Sequence, residues 1–181
     1  MTEKPDIEIR DSAPGDIAPL KAVYADAFPD EDLVPLVVAL LKSQKDLVVS
    51  LVACAGREVV GHILMTICGI EGRNEKAALL GPLGVVSGWQ KKGVGSALVA
   101  EALRRMKASG AARVLVLGDP AYYGRFGFRA DADVAAPYPL PDAWHPAWQS
   151  LSLSDRTPKL RGRLVVPEPW RQPALWAPLP E

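Results

Sequence analysis

The stretch from Leu79 to Leu103 constrains the fold more than any other part of this chain. Leu79-Leu80-Gly81-Pro82-Leu83-Gly84-Val85-Val86 reads as a strand. Gln90-Lys91-Lys92-Gly93-Val94-Gly95-Ser96 follows shortly after it. From there the period changes to that of a helix, with Val94, Leu98, Ala102 and Met106 on one i+4 row. A strand, a glycine-rich turn and a helix in this order imply an α/β arrangement. The first amides of such a helix lack partners within it, so the junction can present a row of N–H groups to an anion.

The flanking segments extend this reading. Ile7, Ile9 and Arg10 read as a short first strand. Asp11-Ser12-Ala13-Pro14 resembles a helix start, with Ser12 or Asp11 as cap and Pro14 in the first turn. Ile17, Leu20, Val23, Tyr24 and Phe28 keep helical spacing, and a second helix is expected over about Asp32 to Lys42, after the acidic connection Phe28-Pro29-Asp30-Glu31-Asp32. Leu47–Ala55 and Val59–Ile67 read as a hairpin around Gly56-Arg57-Glu58, and Lys76–Val86 as the third long strand. After the long helix, capped by Gly110, Arg113–Gly118 is a short strand expected to lie parallel to the one before it, across a crossover. Pro120–Phe126 reads as a short helix, and Gly127-Phe128 as a turn into another strand.

Composition changes from Pro137 onward. Ten of the 17 prolines and four of the five tryptophans fall in the last 45 residues. Trp148–Leu153 and Arg163–Val166 still read as strands. This tail is too short to form a core alone, so a single domain over 1–181 is expected, with residues 137–181 packed on it. The 181 residues carry no net formal charge, so global charge points to neither nucleic acid nor a membrane surface. Residues 90–107 nevertheless hold Lys91, Lys92, Arg104, Arg105 and Lys107 against Glu101 alone, a local basic patch. Cys54 and Cys68 form no CxxC pair and no metal-ligand spacing with the two histidines, so reduced, buried thiols and no metal are expected. Met1-Thr2-Glu3-Lys4-Pro5-Asp6 lacks the profile of a signal peptide, and no apolar run reaches the ~20 residues needed to span a bilayer. A cytoplasmic protein is the expectation.

Three phosphate-binding patterns compete for the glycine turn. A Walker A loop needs Lys and then Ser or Thr after its last glycine. Gly88 and Gly93 have the spacing, but Val94 and Gly95 follow. A dinucleotide fingerprint needs Gly or Ala three residues after its second glycine, where Leu98 stands. The third pattern, Gln/Arg-x-x-Gly-x-Gly/Ala, is met by Gln90, Gly93 and Gly95. That pattern is the pyrophosphate loop of the GNAT (GCN5-related) N-acetyltransferases, and the stretch Leu80–Leu98 resembles the family's strand, loop and helix. A second block, Leu115-Val116-Leu117-Gly118-Asp119-Pro120-Ala121-Tyr122-Tyr123-Gly124-Arg125-Phe126-Gly127-Phe128, resembles its next strand, short helix and terminal Gly-Phe. The wording of this block is similar to that of a bacterial YhbS-like subgroup. The resemblance covers about residues 6–130.

The resemblance implies a mixed, mainly antiparallel, twisted sheet flanked by helices, with a V-shaped opening between the third long strand and the strand at Val114 expected to admit CoA. It implies acetyl-CoA as cosubstrate and the amine of a small molecule or protein as acceptor, with no nucleic acid and no membrane as partner. Leu83, Gly84 and Val85 would pair with the pantetheine amides. Gln90, Lys91, Lys92, Gly93, Val94, Gly95 and Ser96 would hold the pyrophosphate. The Val85 N–H would meet the developing oxyanion. Tyr123, four residues before Gly127, would give the leaving thiolate its proton and touch the cosubstrate. Gly84 has an alternative use, relieving crowding against a core neighbour, and Tyr123 could pack with its hydroxyl bonded structurally.

The general base is open among Glu31, Asp32, His62, Glu75 and a water molecule. His62 is expected to be an ordinary strand residue, and positioning alone can supply much of the rate. Direct attack in a ternary complex is expected over an acetyl-enzyme. A longer acyl-CoA, or a non-catalytic CoA-binding module, are the alternatives. Trp144, Trp148, Trp170 and Trp176 are expected to cover the sheet, a homodimer contact or an acceptor pocket being their other uses. Two positions depart from the family pattern: Ser87 stands where proline is common, and Asp119-Pro120 where asparagine is frequent.

Overall fold

A computed structural model describes residues 6–43, 46–154 and 160–177. Residues 1–5, on which the signal-peptide expectation rests, and parts of the tail lie outside these. Among the described residues nine strands form a sheet in the order β1 (Glu8–Asp11), β2 (Val48–Ala55), β3 (Glu58–Ile70), β4 (Lys76–Val85), β5 (Arg113–Leu117), β8 (Trp148–Ser152) and β6 (Arg129–Ala130). Beside this path, β9 (Gly162–Val165) pairs with β3 and with β7 (Val134–Ala135). The helices are α1 (Ile17–Ala27), α2 (Val34–Ser43), α3 (Val94–Ala108) and the single turn α4 (Pro120–Tyr123). The sheet is mixed, mostly antiparallel and flanked by helices, as expected. Among the described residues no helix is long and apolar enough to cross a membrane.

The chain divides into two compact units, Met1–Met65 with Gly81–Arg105, and Thr66–Leu80 with Met106–Glu181. In the first, β1 runs antiparallel to β2, with Glu8 opposite Cys54 and Asp11 opposite Leu51. Leu20, Val23 and Tyr24 of α1 and Leu36, Val37 and Leu40 of α2 are buried. The i+4 row of α3 is buried as its spacing predicts, Val94 at 1% exposure and Leu98 and Ala102 at 0%. A Cβ on Gly61 would stand 3.0 Å from Val94 and 3.1 Å from Leu98, so glycine there lets α3 approach β3.

The expected cap of the first helix is corrected. Neither Asp11 nor Ser12 caps it: a 3-10 turn, Pro14–Asp16, precedes α1, and the Asp16 carboxylate accepts the Ala13 N–H at 2.6 Å. Arg10 grips the same carboxylate with two hydrogen bonds, at 2.8 and 2.9 Å, and holds it below the usual carboxylate range. The Ser12 hydroxyl turns instead to the Ser50 hydroxyl, 2.7 Å away. A partner 38 residues distant outcompetes the local turn, and no local pattern encodes it.

In the second unit β4 and β5 run parallel, from Ala77 opposite Arg113 to Leu80 opposite Val116, as the crossover predicts. β3 continues to Ile70, three residues past the expected end, because β9 pairs with its last residues, Gly69 with Val165 and Ile70 with Leu164. β7 went unread because only its parallel pairing with β9 makes it a strand. Trp148, Trp170 and Trp176 are buried, with ring centroids 5.8 Å apart for Trp148–Trp176 and 5.9 Å for Trp170–Trp176. Each indole N–H has an acceptor: the Val134 carbonyl at 2.7 Å, the Thr66 hydroxyl at 3.1 Å and the Trp170 carbonyl at 3.0 Å. These three are core residues, as the plainer expectation had it, while Trp144 is half-buried. Arg113 and Asp131 form a buried ion pair at 2.9 Å.

Candidate active site

The end of β4 and the turn after it are shaped by hydrogen bonds. The Val86 N–H donates to the Val60 carbonyl at 3.0 Å, on the β3 side. Backbone groups alternate sides along a strand, so Val85 directs its N–H away from β3. The Gln90 side-chain amide donates to the Val85 carbonyl at 3.0 Å and closes the turn back on the strand. Asp26, at the end of α1, accepts from the Ser87 N–H at 2.5 Å and from its hydroxyl at 3.1 Å. Ser87 therefore uses the N–H that a proline would lack. Asp26 was missed in the sequence because only the fold brings it to residue 87.

The turn itself needs unusual backbone. Lys91 and Gly93 have φ of 61° and 86°. Gly93 then caps α3, its carbonyl accepting the Ala97 N–H at 3.0 Å. The amides of Val94 and Gly95 follow with no acceptor one turn back, and no acidic residue sits in the first turn of α3 to offset its positive end. Residues 91–93 are exposed, and Val94 turns its side chain into the core. The Lys92 ammonium stands 5.2 Å from the centre of the Trp89 ring. The remainder of the basic patch is thinner than its composition suggests. Arg104 and Arg105 both pair with Glu101, at 2.6 and 3.0 Å, and Arg105 also reaches Asp11 at 3.0 Å.

Gly84 is buried, and a Cβ there would lie 3.2 Å from the Tyr24 ring and 3.5 Å from Phe28. This packing supports its use in relieving crowding against core neighbours. Tyr24 is itself buried, and its hydroxyl lies 2.7 Å from His62 Nδ1, while His62 Nε2 lies 2.8 Å from the Ser50 hydroxyl. His62 is fully buried, and burial pushes its imidazole down to about 3, so the ring is neutral. It is enclosed, and therefore no acceptor for a substrate proton.

Among the other candidate bases, Glu75 is bound at 2.5 Å by Arg73, whose hydrogen bonds pull it down to about 2 and make it a poor proton acceptor. Glu31 and Asp32 are exposed. Cys54 and Cys68 are free and buried, and burial pushes the Cys68 thiol up to about 12. Among the described residues no group of three potential ligands could hold a metal.

Tyr123 ends α4 in the second unit. Asp119 caps this helix, accepting the Ala121 N–H at 2.9 Å, so Asp119-Pro120 is a competent helix start. The Tyr123 ring lies against Gly118, where a Cβ would overlap it, and meets Phe128 edge-on at 5.7 Å. Tyr122 meets both Tyr123, at 5.0 Å, and Phe126, at 5.6 Å, and Arg125 stands 4.9 Å over its ring. Burial pushes the Tyr123 phenol well up, so it keeps its proton at neutral pH. Its hydroxyl forms no hydrogen bond among the described residues and is not one of the buried polar atoms.

Comparison with known proteins places this geometry. The sequence profile of the acetyltransferase (GNAT) family matches residues 17–128. The uncharacterized N-acetyltransferase YjhQ of Escherichia coli is 31% identical over 160 residues, covering 85% of this chain and 88% of YjhQ. The fold is similar to that of the GNAT-family N-acetyltransferase YhbS of Escherichia coli, whose crystal structure is a complex with CoA: TM-score 0.83, 25% identity, 95% of this chain and 96% of that one. It is also similar to a GNAT-family acetyltransferase of Brucella melitensis in complex with acetyl-CoA: TM-score 0.74, 29% identity, 91% and 98%. With the family profile spanning more than half its length, this chain belongs to the acetyltransferase (GNAT) family.

Proposed function

We propose that this acetyltransferase moves the acetyl group of acetyl-CoA to the amine of a small molecule or protein, by direct attack in a ternary complex. The observation that carries the reading is the start of α3, where positive-φ Gly93 leads into first-turn amides that have no acceptor one turn back and no acidic neighbour in that turn. The amides of Lys91–Ser96, the Ser96 hydroxyl and the Lys91 and Lys92 ammonium groups hold the pyrophosphate, with Gln90 fixing the turn. Leu83, Gly84 and Val85 form the strand edge for the pantetheine arm.

The amine lone pair attacks the thioester carbonyl carbon, and the oxygen takes up charge that the Val85 N–H stabilises. The C–S bond then breaks, the thiolate takes the proton of Tyr123, and the attacking nitrogen releases its own proton to water. Solvent reprotonates Tyr123. The exposed carboxylates of Asp30, Glu31 and Asp32 favour a cationic acceptor, whose ammonium gives one proton to water before its lone pair attacks.

The test is thiol release from acetyl-CoA across a panel of primary amines and peptides. Amine-dependent release is expected. Binding of acetyl-CoA with no release for any amine makes the protein a CoA-binding module, and release only from a longer acyl-CoA changes the donor. Absence of any CoA binding contradicts the reading.

A further inference from the structure

A line of polar side chains runs through the first unit, and the proposed acetyl transfer does not use it. The Ser12 hydroxyl meets Ser50 at 2.7 Å, Ser50 meets His62 Nε2 at 2.8 Å, and His62 Nδ1 meets the Tyr24 hydroxyl at 2.7 Å. Tyr24 reaches the Pro82 carbonyl of β4 at 3.4 Å. His62 and Tyr24 are 0% and 1% exposed, and Ser50 is 9% exposed. Ser12 and Ser50 also line a cavity of about 590 Å³, together with Pro14, Ile17 and Leu41. The chain therefore begins where water can enter and ends on the strand that carries Val85.

A neutral imidazole has one N–H and one lone pair, so it must donate to one partner and accept from the other. Two arrangements satisfy that. In the inward one, Ser12 donates to Ser50, Ser50 to Nε2, Nδ1–H to Tyr24, and Tyr24 to the Pro82 carbonyl. In the outward one Tyr24 donates to Nδ1, Nε2–H to Ser50, and the Pro82 carbonyl loses this donor. Only the inward order uses the Tyr24–Pro82 contact. The Tyr24 ring also lies against Gly84, at the 3.2 Å noted above, so one side chain braces both Pro82 and Gly84, immediately before Val85.

We propose that Ser12, Ser50, His62 and Tyr24 form a one-directional hydrogen-bond chain, with His62 as its Nδ1-protonated tautomer, which fixes the end of β4 and so positions the Val85 amide. His62 is thus a positioning residue. The tautomer stands on the hydrogen bonds alone, while the kinetic consequence rests on the proposed role of Val85. Interior hydrogen-bond chains of this kind hold their members in one geometry only when each is satisfied.

The experiment has two readouts. Nitrogen-15 NMR of the full chain, with the His62 signals assigned by their loss in His62→Gln, reports the tautomer. A protonated Nδ1 and an unprotonated Nε2 are expected, and the reverse pattern, or two protonated nitrogens, overturns the proposal. For kinetics, His62→Leu should lower kcat about tenfold with the acetyl-CoA KM within twofold, and His62→Gln, which can donate and accept, should recover most of it. Unchanged kcat in His62→Leu, per folded molecule, overturns the positioning role. If His62→Leu does not fold, Tyr24→Phe takes its place with the same kcat criterion. A wild-type protein without turnover would defeat the acetyltransfer reading, and the NMR would still decide the tautomer.

Discussion

Two tyrosines at two places in the molecule stand in opposite hydrogen-bonding environments. Tyr24, in the α1–β3 layer, is buried and its hydroxyl is hydrogen-bonded to His62 and Pro82. Tyr123, at the end of α4, keeps its proton and has a hydroxyl with no hydrogen bond among the described residues. A phenol whose hydrogen-bonding capacity is used up holds structure in place. A phenol with capacity to spare is available to a reacting atom. The difference lies in what surrounds each ring, since both are tyrosines on helices packed against aromatic neighbours.

Removing each hydroxyl should separate the two roles. Tyr123→Phe is expected to lower kcat about 100-fold, the scale of a lost general acid, with acetyl-CoA affinity within twofold and unfolding free energy nearly unchanged. Tyr24→Phe should do the reverse in emphasis: it leaves a buried His62 nitrogen without its partner and costs about 1–3 kcal/mol of stability, with a smaller fall in kcat. Steady-state kinetics and urea unfolding of both variants check this. Equal stability losses would erase the distinction.

A smaller effect separates the layers by pH. His62 is held near 3 in the folded chain, against roughly 6.5 unfolded. Above the unfolded value both states are neutral there. Below it the unfolded chain binds a proton that the folded chain refuses, so stability is lost as pH falls, at up to about 1.4 kcal/mol per pH unit. Urea unfolding at pH 7.5 and pH 5 should show a loss of about 2 kcal/mol from this site, absent in His62→Gln. An equal loss in that variant would assign it elsewhere.

The parts of the fold that could be read in advance are those whose signal is local. The α3 row Val94-Leu98-Ala102 and the turn at Gly93 each carry their own pattern, a period of four and a left-handed backbone. The parallel pairing of β4 and β5 followed from the crossover between them. What stayed hidden depends on partners far along the chain. Ser12 looked like a helix cap and instead bonds Ser50, Asp26 secures Ser87 from 61 residues away, and β7 is a strand only beside β9. His62 looked ordinary because one histidine in an apolar strand has no spacing to interpret. Its meaning comes from Tyr24 and Ser50, each brought to it by tertiary packing.

Calorimetric titration of two donors decides whether the Gly93 turn holds the pyrophosphate of acetyl-CoA. S-acetylpantetheine carries the thioester and the amide arm but no pyrophosphate. The wild-type chain is expected to bind acetyl-CoA at least about 100-fold more tightly than S-acetylpantetheine, the scale of one or two charge-assisted hydrogen bonds. Gly93→Ala, strained by its left-handed backbone by about 1–2 kcal/mol, should weaken acetyl-CoA binding about tenfold and leave S-acetylpantetheine unchanged. Equal affinity for the two donors, or equal weakening of both by Gly93→Ala, would contradict a pyrophosphate site at this turn.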